Sequence, residues 1–234
     1  METILQFDSN LFLSLNQIHS PFWDSAMLLF TRKETWLFFY LMIILVAFRN
    51  YERKAMLIIF MMILGLIASD QISTLIKMIT QRPRPGHDPI IRDLVHVVLR
   101  KGGLYGFVSS HASNTFFILA FTAPLFRNRL SFFTILIWAV LISYTRIYNG
   151  NHYPLDIIGG WALGIGLGYI FYRFLIFIET RFFVTRLPRF EKTPLKSGNV
   201  WLLFLTFAII SVTVLLIVYV FHKYNFITPP PITQ

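Results

Sequence analysis

The chain contains no cysteine, and charged residues make up only 14% of its 234 positions. The absence of cysteine excludes disulfide bonds and thiolate metal sites, but it leaves the cellular compartment open. Soluble domains carry about a quarter charged residues, so this deficit, together with 56% hydrophobic residues, indicates an integral membrane protein. Length alone allows one or two soluble domains, but a single membrane bundle is the simpler interpretation.

Acidic residues are scarce as well: 11 Asp and Glu stand against 21 Lys and Arg, which gives a net charge of +10. Nucleic-acid binding would need these cations on one soluble face. Most of them instead lie between apolar runs, as expected for membrane topology and anion binding. We therefore expect a lipid bilayer and a lipid substrate as partners, and no nucleic acid.

Long apolar runs are abundant, and they predict an all-α fold, a polytopic bundle of about six transmembrane helices. The last run, from Val200 to Phe221, contains no charged residue and has the ~20 residues that a spanning helix needs. The predicted segments are 34–48, 55–79, 111–126, 130–148, 154–178 and 200–222.

Three regions follow from these segments: an N-terminal interfacial segment (1–33), a single transmembrane domain (34–222) and a C-terminal tail (223–234). The N-terminus lacks the basic region of a secretory signal and carries Asp8. It is predicted to be an amphipathic segment at the membrane surface or, equally, a short helix capping the bundle. The final TPPPITQ is predicted to be disordered.

The distribution of Lys and Arg predicts the orientation. The loops around 49–54, 127–129 and 173–196 hold 11 of the 21 basic residues. Four of the other ten lie in the motifs described next, which leaves six. The excess places the first group of loops in the cytoplasm. The chain is then a multi-pass protein of the inner membrane whose motifs face the periplasm or exterior.

Glycine recurs at every fourth position of the fifth segment, at Gly160, Gly164 and Gly168. This spacing lets two helix backbones approach closely. Packing within the bundle is the favoured use of these glycines, and the alternative is the contact of a homodimer.

Polar residues beside membrane spans are costly and need an explanation, and they occur at three places at one predicted end of the bundle. At the first place, Lys77 closes the second segment and Arg84 follows seven residues later, between Pro83 and Pro85. The prolines stiffen the backbone, and a guanidinium matches phosphate with paired hydrogen bonds. The alternative is a lysine reaching the interface beside a basic loop.

The second place is the sequence Gly106-Phe-Val-Ser-Ser-His111, which leads into the third segment. Ser109 and Ser110 are natural N-cap residues, and free N–H groups at a helix start form an anion site. His111 at that position can donate a proton to a leaving group. Simple capping beside an interfacial histidine is the alternative for this motif alone.

The third place runs from Thr145-Arg146 to His152 and Asp156. The last two are four residues apart, so they share one face if a helix begins near Pro154. A carboxylate behind a histidine fixes its tautomer, and an attacking imidazole would form a phosphohistidine. A lone His–Asp pair is more often structural.

Together the three motifs resemble the type 2 phosphatidic acid phosphatase (PAP2) superfamily, which also includes vanadium haloperoxidases. Its pattern is K-x6-R-P, then P-S-G-H, then S-R-x5-H-x3-D. The chain has the same order and the same spacing within each motif, and the resemblance covers roughly 55–178. The corresponding residues are Lys77-x6-Arg84-Pro85, Val108-Ser109-Ser110-His111 and Thr145-Arg146-x5-His152-x3-Asp156.

The resemblance implies a PAP2/haloperoxidase-type core and a phosphatase that needs no metal or other cofactor. In this family pattern His152 would attack phosphorus, Asp156 would orient it, and His111 would protonate the leaving oxygen. The phosphoryl oxygens would be held by Lys77, Arg84, Ser109, Arg146 and the backbone N–H of Ser110.

Three positions depart from the family pattern: Val108 replaces Pro, Ser110 replaces Gly and Thr145 replaces Ser. Ser110 matters most, because glycine lets a backbone N–H approach phosphate closely. A serine still offers that N–H and adds a hydroxyl. Four polar residues match no family role and are interpreted as solvated loop residues, with the lining of a substrate entrance as the alternative: Arg82, His87, Asp88 and His96.

An integral-membrane lipid phosphatase is therefore the leading hypothesis. Undecaprenyl pyrophosphate and lipid A are the favoured substrates, with phosphatidylglycerophosphate or phosphatidic acid as alternatives. A haloperoxidase holding vanadate is disfavoured because those relatives are soluble. A non-catalytic anion or lipid transporter would need only the cations, and it leaves the spacing of His152 and Asp156 unexplained.

Overall fold

The computed structural model describes residues 2–99, 102–182 and 189–224, and it confirms the all-helical class. These ranges contain no β-strand, only an isolated antiparallel pairing of Pro83 with Tyr105. The predicted disordered tail and Arg186 of the basic loop lie outside the described residues. The α-helices are α1 (Glu2–Asn16), α2 (Pro21–Phe30), α3 (Leu37–Tyr51), α4 (Ala55–Thr80), α5 (Ser110–Phe126), α6 (Arg129–Tyr148), α7 (Pro154–Phe182) and α8 (Ser197–Lys223).

Helices α3 to α8 coincide with the six predicted apolar segments to within four residues at each end. Within the described ranges, four stretches are long and apolar enough to cross a membrane. One of them, Glu34–Thr80, contains both α3 and α4, and the others are α6, α7 and α8. The prediction of a helical membrane bundle is confirmed, although α5 is not among these stretches.

Helix α5 is the central helix of the bundle and packs against α4, α6 and α7. Eleven of its 17 residues are buried. A helix enclosed by protein needs neither the length nor the lipid-facing surface of an outer span. This position accounts for the shortness of the third apolar segment.

The glycines of α7 form its contact with α5. A Cβ atom on Gly164 would lie 2.2 Å from the Ser113 carbonyl oxygen, and one on Gly160 would lie 2.7 Å from that of Ser109. Gly168 faces Ala120 in the same way. Packing within the bundle, the favoured use, is therefore confirmed. A homodimer contact would need the same face, which α5 of the same chain already covers.

Helix α1 is a capping helix with one buried and one exposed face. Asp8, Phe12 and Asn16 recur at every fourth position, and each is at most 1% exposed. The Asn16 side-chain amide donates to the carbonyl oxygens of Ile147 and Tyr148 at 3.1 and 2.8 Å. The other face leaves apolar side chains exposed, as a helix at the membrane surface requires. Those side chains are Ile4, Leu5, Phe7 and Leu11.

The opposite end of the bundle is held by a buried ion pair. The Lys54 ammonium at the start of α4 lies 2.8 Å from Glu179 near the end of α7. The Phe190 backbone N–H donates to the same Glu179 carboxylate at 3.1 Å. Helices α4 and α7 are thus fastened at the end remote from Lys77 and His152.

Candidate active site

The three motifs meet at one end of the bundle through backbone hydrogen bonds. The loop after α4 pairs with the segment before α5: Arg84 N–H donates to the Leu104 carbonyl at 3.0 Å, and Gly106 N–H to that of Arg82 at 2.8 Å. Ser109 N–H donates to the carbonyl of Asp156 at 2.9 Å. The main chain thus joins the first motif to the second, and the second to the third.

His152 and Asp156 form the buried pair that their spacing predicts. Nδ1 of His152 lies 3.3 Å from Oδ2 of Asp156, and the two side chains are 2% and 0% exposed. The Tyr153 N–H donates to the same oxygen at 3.1 Å, which fixes the carboxylate at the start of α7. Since Nδ1 is engaged, Nε2 is the nitrogen left for chemistry.

The surroundings of His152 keep its ring neutral. Burial, reinforced by the positive charges of Arg84, Arg146 and Lys77, holds the pKa of His152 well below its ordinary value. A neutral imidazole has a free lone pair on one nitrogen and can act as a nucleophile. The three cations act on one ring, so the structure brings together residues that are separated by up to 75 positions in the chain.

Ser110, which replaces the glycine of the family pattern, contacts Lys77 directly. The Lys77 ammonium donates to Ser110 Oγ at 2.6 Å, and that oxygen also lies 2.6 Å from Ser73 Oγ. The hydroxyl that the substitution adds therefore fixes the position of a cation. Ser109 is the N-cap of α5, as predicted, and its Oγ accepts from Ala112 N–H at 3.5 Å.

The remaining predicted residues lie around the same pocket. The Arg84 Nε donates to the Tyr105 carbonyl at 3.0 Å, and Arg146 Nη1 donates to Thr31 Oγ1 at 2.8 Å. His111 lies in the first turn of α5 with its side chain exposed. It is near enough to Arg146 and His152 to interact with both electrostatically. The structure thus assembles every predicted site residue at one end of the bundle.

Arg82 is not a solvated loop residue, and that interpretation was wrong. Its guanidinium bridges two buried carboxylates, with Nη1 3.0 Å from Asp156 Oδ1 and Nη2 2.6 Å from Asp8 Oδ2. It also stacks over the Tyr153 ring at 4.2 Å. Asp8 Oδ1 accepts from the Leu155 N–H at 2.9 Å. Helix α1 is thereby connected to the carboxylate that holds His152.

Asp88 and His96 likewise have partners within the fold. Asp88 Oδ2 accepts from the Tyr153 hydroxyl at 2.7 Å, and His96 Nε2 lies 2.9 Å from Asp24 Oδ1. His87 is the least constrained of the four loop residues, and its Nε2 lies 3.2 Å from the Gly102 carbonyl. The prediction missed these roles because every one of these partners lies at least 15 residues away in the chain.

Gly106 is a further site residue whose role the sequence did not reveal. A Cβ atom there would lie 2.7 Å from Asp156 Oδ2 and 3.3 Å from Arg84 Cγ. Only a residue without a side chain leaves this carboxylate in place. The signal was present as a glycine three residues before Ser109, but it carried no meaning without the position of Asp156.

One cluster with metal-ligating side chains lies apart from this pocket. Ligand atoms of His19, Asp24 and His96 fall within 4.8 Å of one another. The rings of His19 and His96 are stacked at 3.7 Å, and Asp24 also accepts from the Tyr148 hydroxyl at 2.8 Å. These contacts explain the cluster as a junction between α2, α6 and the loop after α4.

The chain matches known proteins in the region that forms this pocket. The PAP2 superfamily model matches residues 54–180. The chain is 35% identical over 193 residues to a lipid A 4'-phosphatase of Porphyromonas gingivalis, covering 80% of this chain and 81% of that protein. It is 38% identical over 176 residues to a lipid A 4'-phosphatase of Bacteroides thetaiotaomicron, covering 74% and 78%.

A solved structure shows the same architecture. The crystal structure of Aquifex aeolicus LpxE superposes with a TM-score of 0.53 at 26% identity, covering 70% of this chain and 93% of that one. The family match spans the helices that carry all three motifs, and the two relatives are similar over most of their length. The chain therefore belongs to the PAP2 superfamily, and it is a membrane lipid phosphatase that hydrolyses phosphoric esters.

Proposed function

We propose that the chain removes a phosphate group from lipid A through a phosphohistidine on His152, at the periplasmic face of the inner membrane. The observation that carries this proposal is the buried, neutral His152, held by Asp156 beside three cations. A pocket that only binds anions would not need a histidine oriented by a carboxylate. The names of the two lipid A 4'-phosphatases support the choice of substrate.

In the first step, Nε2 of His152 attacks phosphorus, and the bond from phosphorus to the lipid oxygen breaks. His111 donates a proton to that oxygen, so the lipid leaves as an alcohol. In the second step, His111 takes a proton from water, whose oxygen displaces Nε2. Inorganic phosphate is released, and both imidazoles return to their starting states.

The cations stabilise the charge that both steps place on the phosphoryl oxygens. Phosphoryl transfer depends mainly on positioning and electrostatic stabilisation. Lys77, held by Ser110, is a point charge, whereas Arg84 and Arg146 offer planar pairs of donors. The Ser109 side chain and the Ser110 N–H at the start of α5 complete the proposed phosphate site.

Helix α1 takes part through Asp8 and Arg82, which are positioning residues in this mechanism. Arg82 holds Asp156 Oδ1, while Oδ2 faces His152 Nδ1. Burial raises the pKa of Asp8, and the hydrogen bond from Arg82 opposes that shift. The Asp8 carboxylate thus fixes the arginine that fixes the catalytic carboxylate.

Phosphate release from a defined lipid panel tests the proposal. We expect purified wild-type protein to release phosphate from lipid A in preference to undecaprenyl pyrophosphate and phosphatidylglycerophosphate. His152→Ala should abolish release, whereas His87→Ala, a matched histidine variant outside the proposed machinery, should leave it unchanged. A fully active His152→Ala variant, or no release from any of the three lipids, would sink the proposal.

The orientation is tested separately, because the cysteine-free chain permits single-cysteine labelling. Ile90 is 87% exposed in the loop after α4, and Arg53 is exposed at the opposite end of the bundle. We expect Ile90→Cys to react with an impermeant reagent in intact spheroplasts, and Arg53→Cys only after lysis. The reverse pattern would place the pocket in the cytoplasm.

A further inference from the structure

Helix α4 has exposed polar side chains on a surface where a spanning helix is expected to be apolar. Asp70 and Thr74 are both exposed. Both lie close to the line of Lys77, because seven residues complete nearly two helical turns and four residues slightly more than one. At 1.5 Å per residue, Asp70 lies about 10 Å along the axis from Lys77. Since α4 runs from Ala55 to Thr80, Asp70 lies in the interior of the stretch.

An ionisable side chain at that depth is costly and needs a partner. Within the described part of the chain, no residue donates a hydrogen bond to the Asp70 carboxylate or forms an ion pair with it; the Ser73 hydroxyl bonds only to its backbone carbonyl. The side chain also lacks the long stem with which Lys or Arg reaches the interface. What satisfies Asp70 must therefore come from outside the fold.

The same line of α4 becomes apolar farther from the pocket. Ile67 and Ile63 are 54% and 51% exposed, one and two turns beyond Asp70 toward Ala55. From the pocket outward, the helix surface thus presents a cation, then hydrogen-bonding groups, then hydrocarbon. A phosphorylated lipid with a polar headgroup has the same order of groups.

We propose that this line of α4 is a subsite for the headgroup of a phosphorylated glycolipid, an inference that rests on the proposed function. Lys77 binds the phosphate, Asp70 and Thr74 accept hydrogen bonds from sugar hydroxyls, and Ile63 and Ile67 contact the acyl chains. An isoprenyl pyrophosphate has no hydroxyl groups between phosphate and hydrocarbon. It would set its apolar chain against Asp70 and leave the carboxylate unsatisfied, so the subsite selects the glycolipid.

Substitution along the line tests the subsite through substrate preference. We expect Asp70→Leu to lower kcat/KM for lipid A at least tenfold, mainly through KM, and Thr74→Val to lower it about threefold. Both variants should retain activity on undecaprenyl pyrophosphate within twofold of wild type. Thr213→Val on α8, an exposed threonine on another helix, is the matched control and should change neither substrate.

Protein stability and oligomeric state separate the remaining readings. Asp70→Leu should not lower Tm, because it removes a charge from the span surface. An equal loss on both substrates, or no loss on either, would overturn the subsite. A shift from dimer to monomer in Asp70→Leu would overturn it too, since a second copy would then cover the strip. If wild-type protein releases phosphate from neither lipid, the proposed function itself fails.

Discussion

Buried ion contacts lie at both ends of the bundle, and they differ in composition. At the end remote from the pocket, Lys54 faces Glu179 at 2.8 Å, and a single cation meets a single anion. At the pocket end, Arg82 is shared between Asp8 and Asp156, and Asp156 is shared again with His152. The first contact is closed, whereas the second passes its orientation on to a reactive side chain.

The difference shows how one kind of interaction serves two purposes. A closed pair needs only to hold two helix ends together, and an apolar pair of the same volume often does this as well. The shared network fixes both oxygens of Asp156, so the position of His152 depends on α1 as well as on α7. Changes at the pocket end should therefore alter catalysis, and changes at the remote end should alter stability.

The largest expected effect is that of Asp156→Asn. The amide keeps the size of the side chain but removes the charge that supports the imidazole, and we expect kcat to fall by about 10⁴, as for the carboxylate of a catalytic triad. Phosphate release from lipid A measures this effect. Glu179→Gln makes the same change at the remote end and should leave kcat of the folded protein unchanged. Comparable losses in the two variants would remove the distinction.

Asp8→Asn should have a smaller effect on the same step. Loss of a group that orients a catalytic ligand typically costs about 10- to 100-fold, and we expect this loss in kcat with KM within twofold of wild type. Asp8→Glu should recover part of the activity. Because Asp8 acts through Arg82, the Asp8→Asn and Arg82→Gln effects should not add in the double variant. Additive effects would show that Asp8 has only a structural role.

Lys54→Met should change stability without changing chemistry. Removing one partner leaves Glu179 buried and uncompensated, which costs about 3–5 kcal/mol. We expect a lower Tm in detergent and an unchanged kcat for the protein that remains folded. Lys54→Met combined with Glu179→Leu should regain much of the Tm. A loss of kcat in folded Lys54→Met would show that the two ends are coupled.

The smallest effect is a displacement in the pH profile. His152 must be neutral to attack, and burial beside Arg84, Arg146 and Lys77 holds its pKa well below its ordinary value. The ring therefore stays neutral as pH falls through about 6.5, the ordinary pKa of histidine. We expect the acidic limb of kcat/KM to lie below that pH in wild type and in Lys54→Met alike. A limb at or above it would contradict the environment described for His152.

The sequence predicted the helices well because their signals are local. Apolar runs located α3 to α8, and the spacing of His152 and Asp156 predicted one helix face because Pro154 begins α7. The capping role of Ser109 was likewise readable, since it depends only on the following turn. Each of these features is decided within a few residues of the chain.

The network at the pocket end could not be predicted, because its members are far apart in the sequence. Arg82 lies 74 residues from Asp8 and 74 residues from Asp156. In the sequence, Asp8 breaks the apolar pattern of an interfacial segment and gives no indication of a partner. The contact of Ser110 with Lys77 and the need for glycine at position 106 depend in the same way on how α4, α5 and α7 pack.

The most direct test of the central claim is to trap the intermediate on His152. Wild-type protein mixed with lipid A bearing a radiolabelled phosphate and quenched within milliseconds should retain label that is stable to alkali and released by acid, as a phosphohistidine is. The label should map to the peptide that contains His152, and it should be absent from His152→Ala but present in His87→Ala. Label that persists in His152→Ala, or hydrolysis by wild type with no protein-bound label at any quench time, would contradict the account.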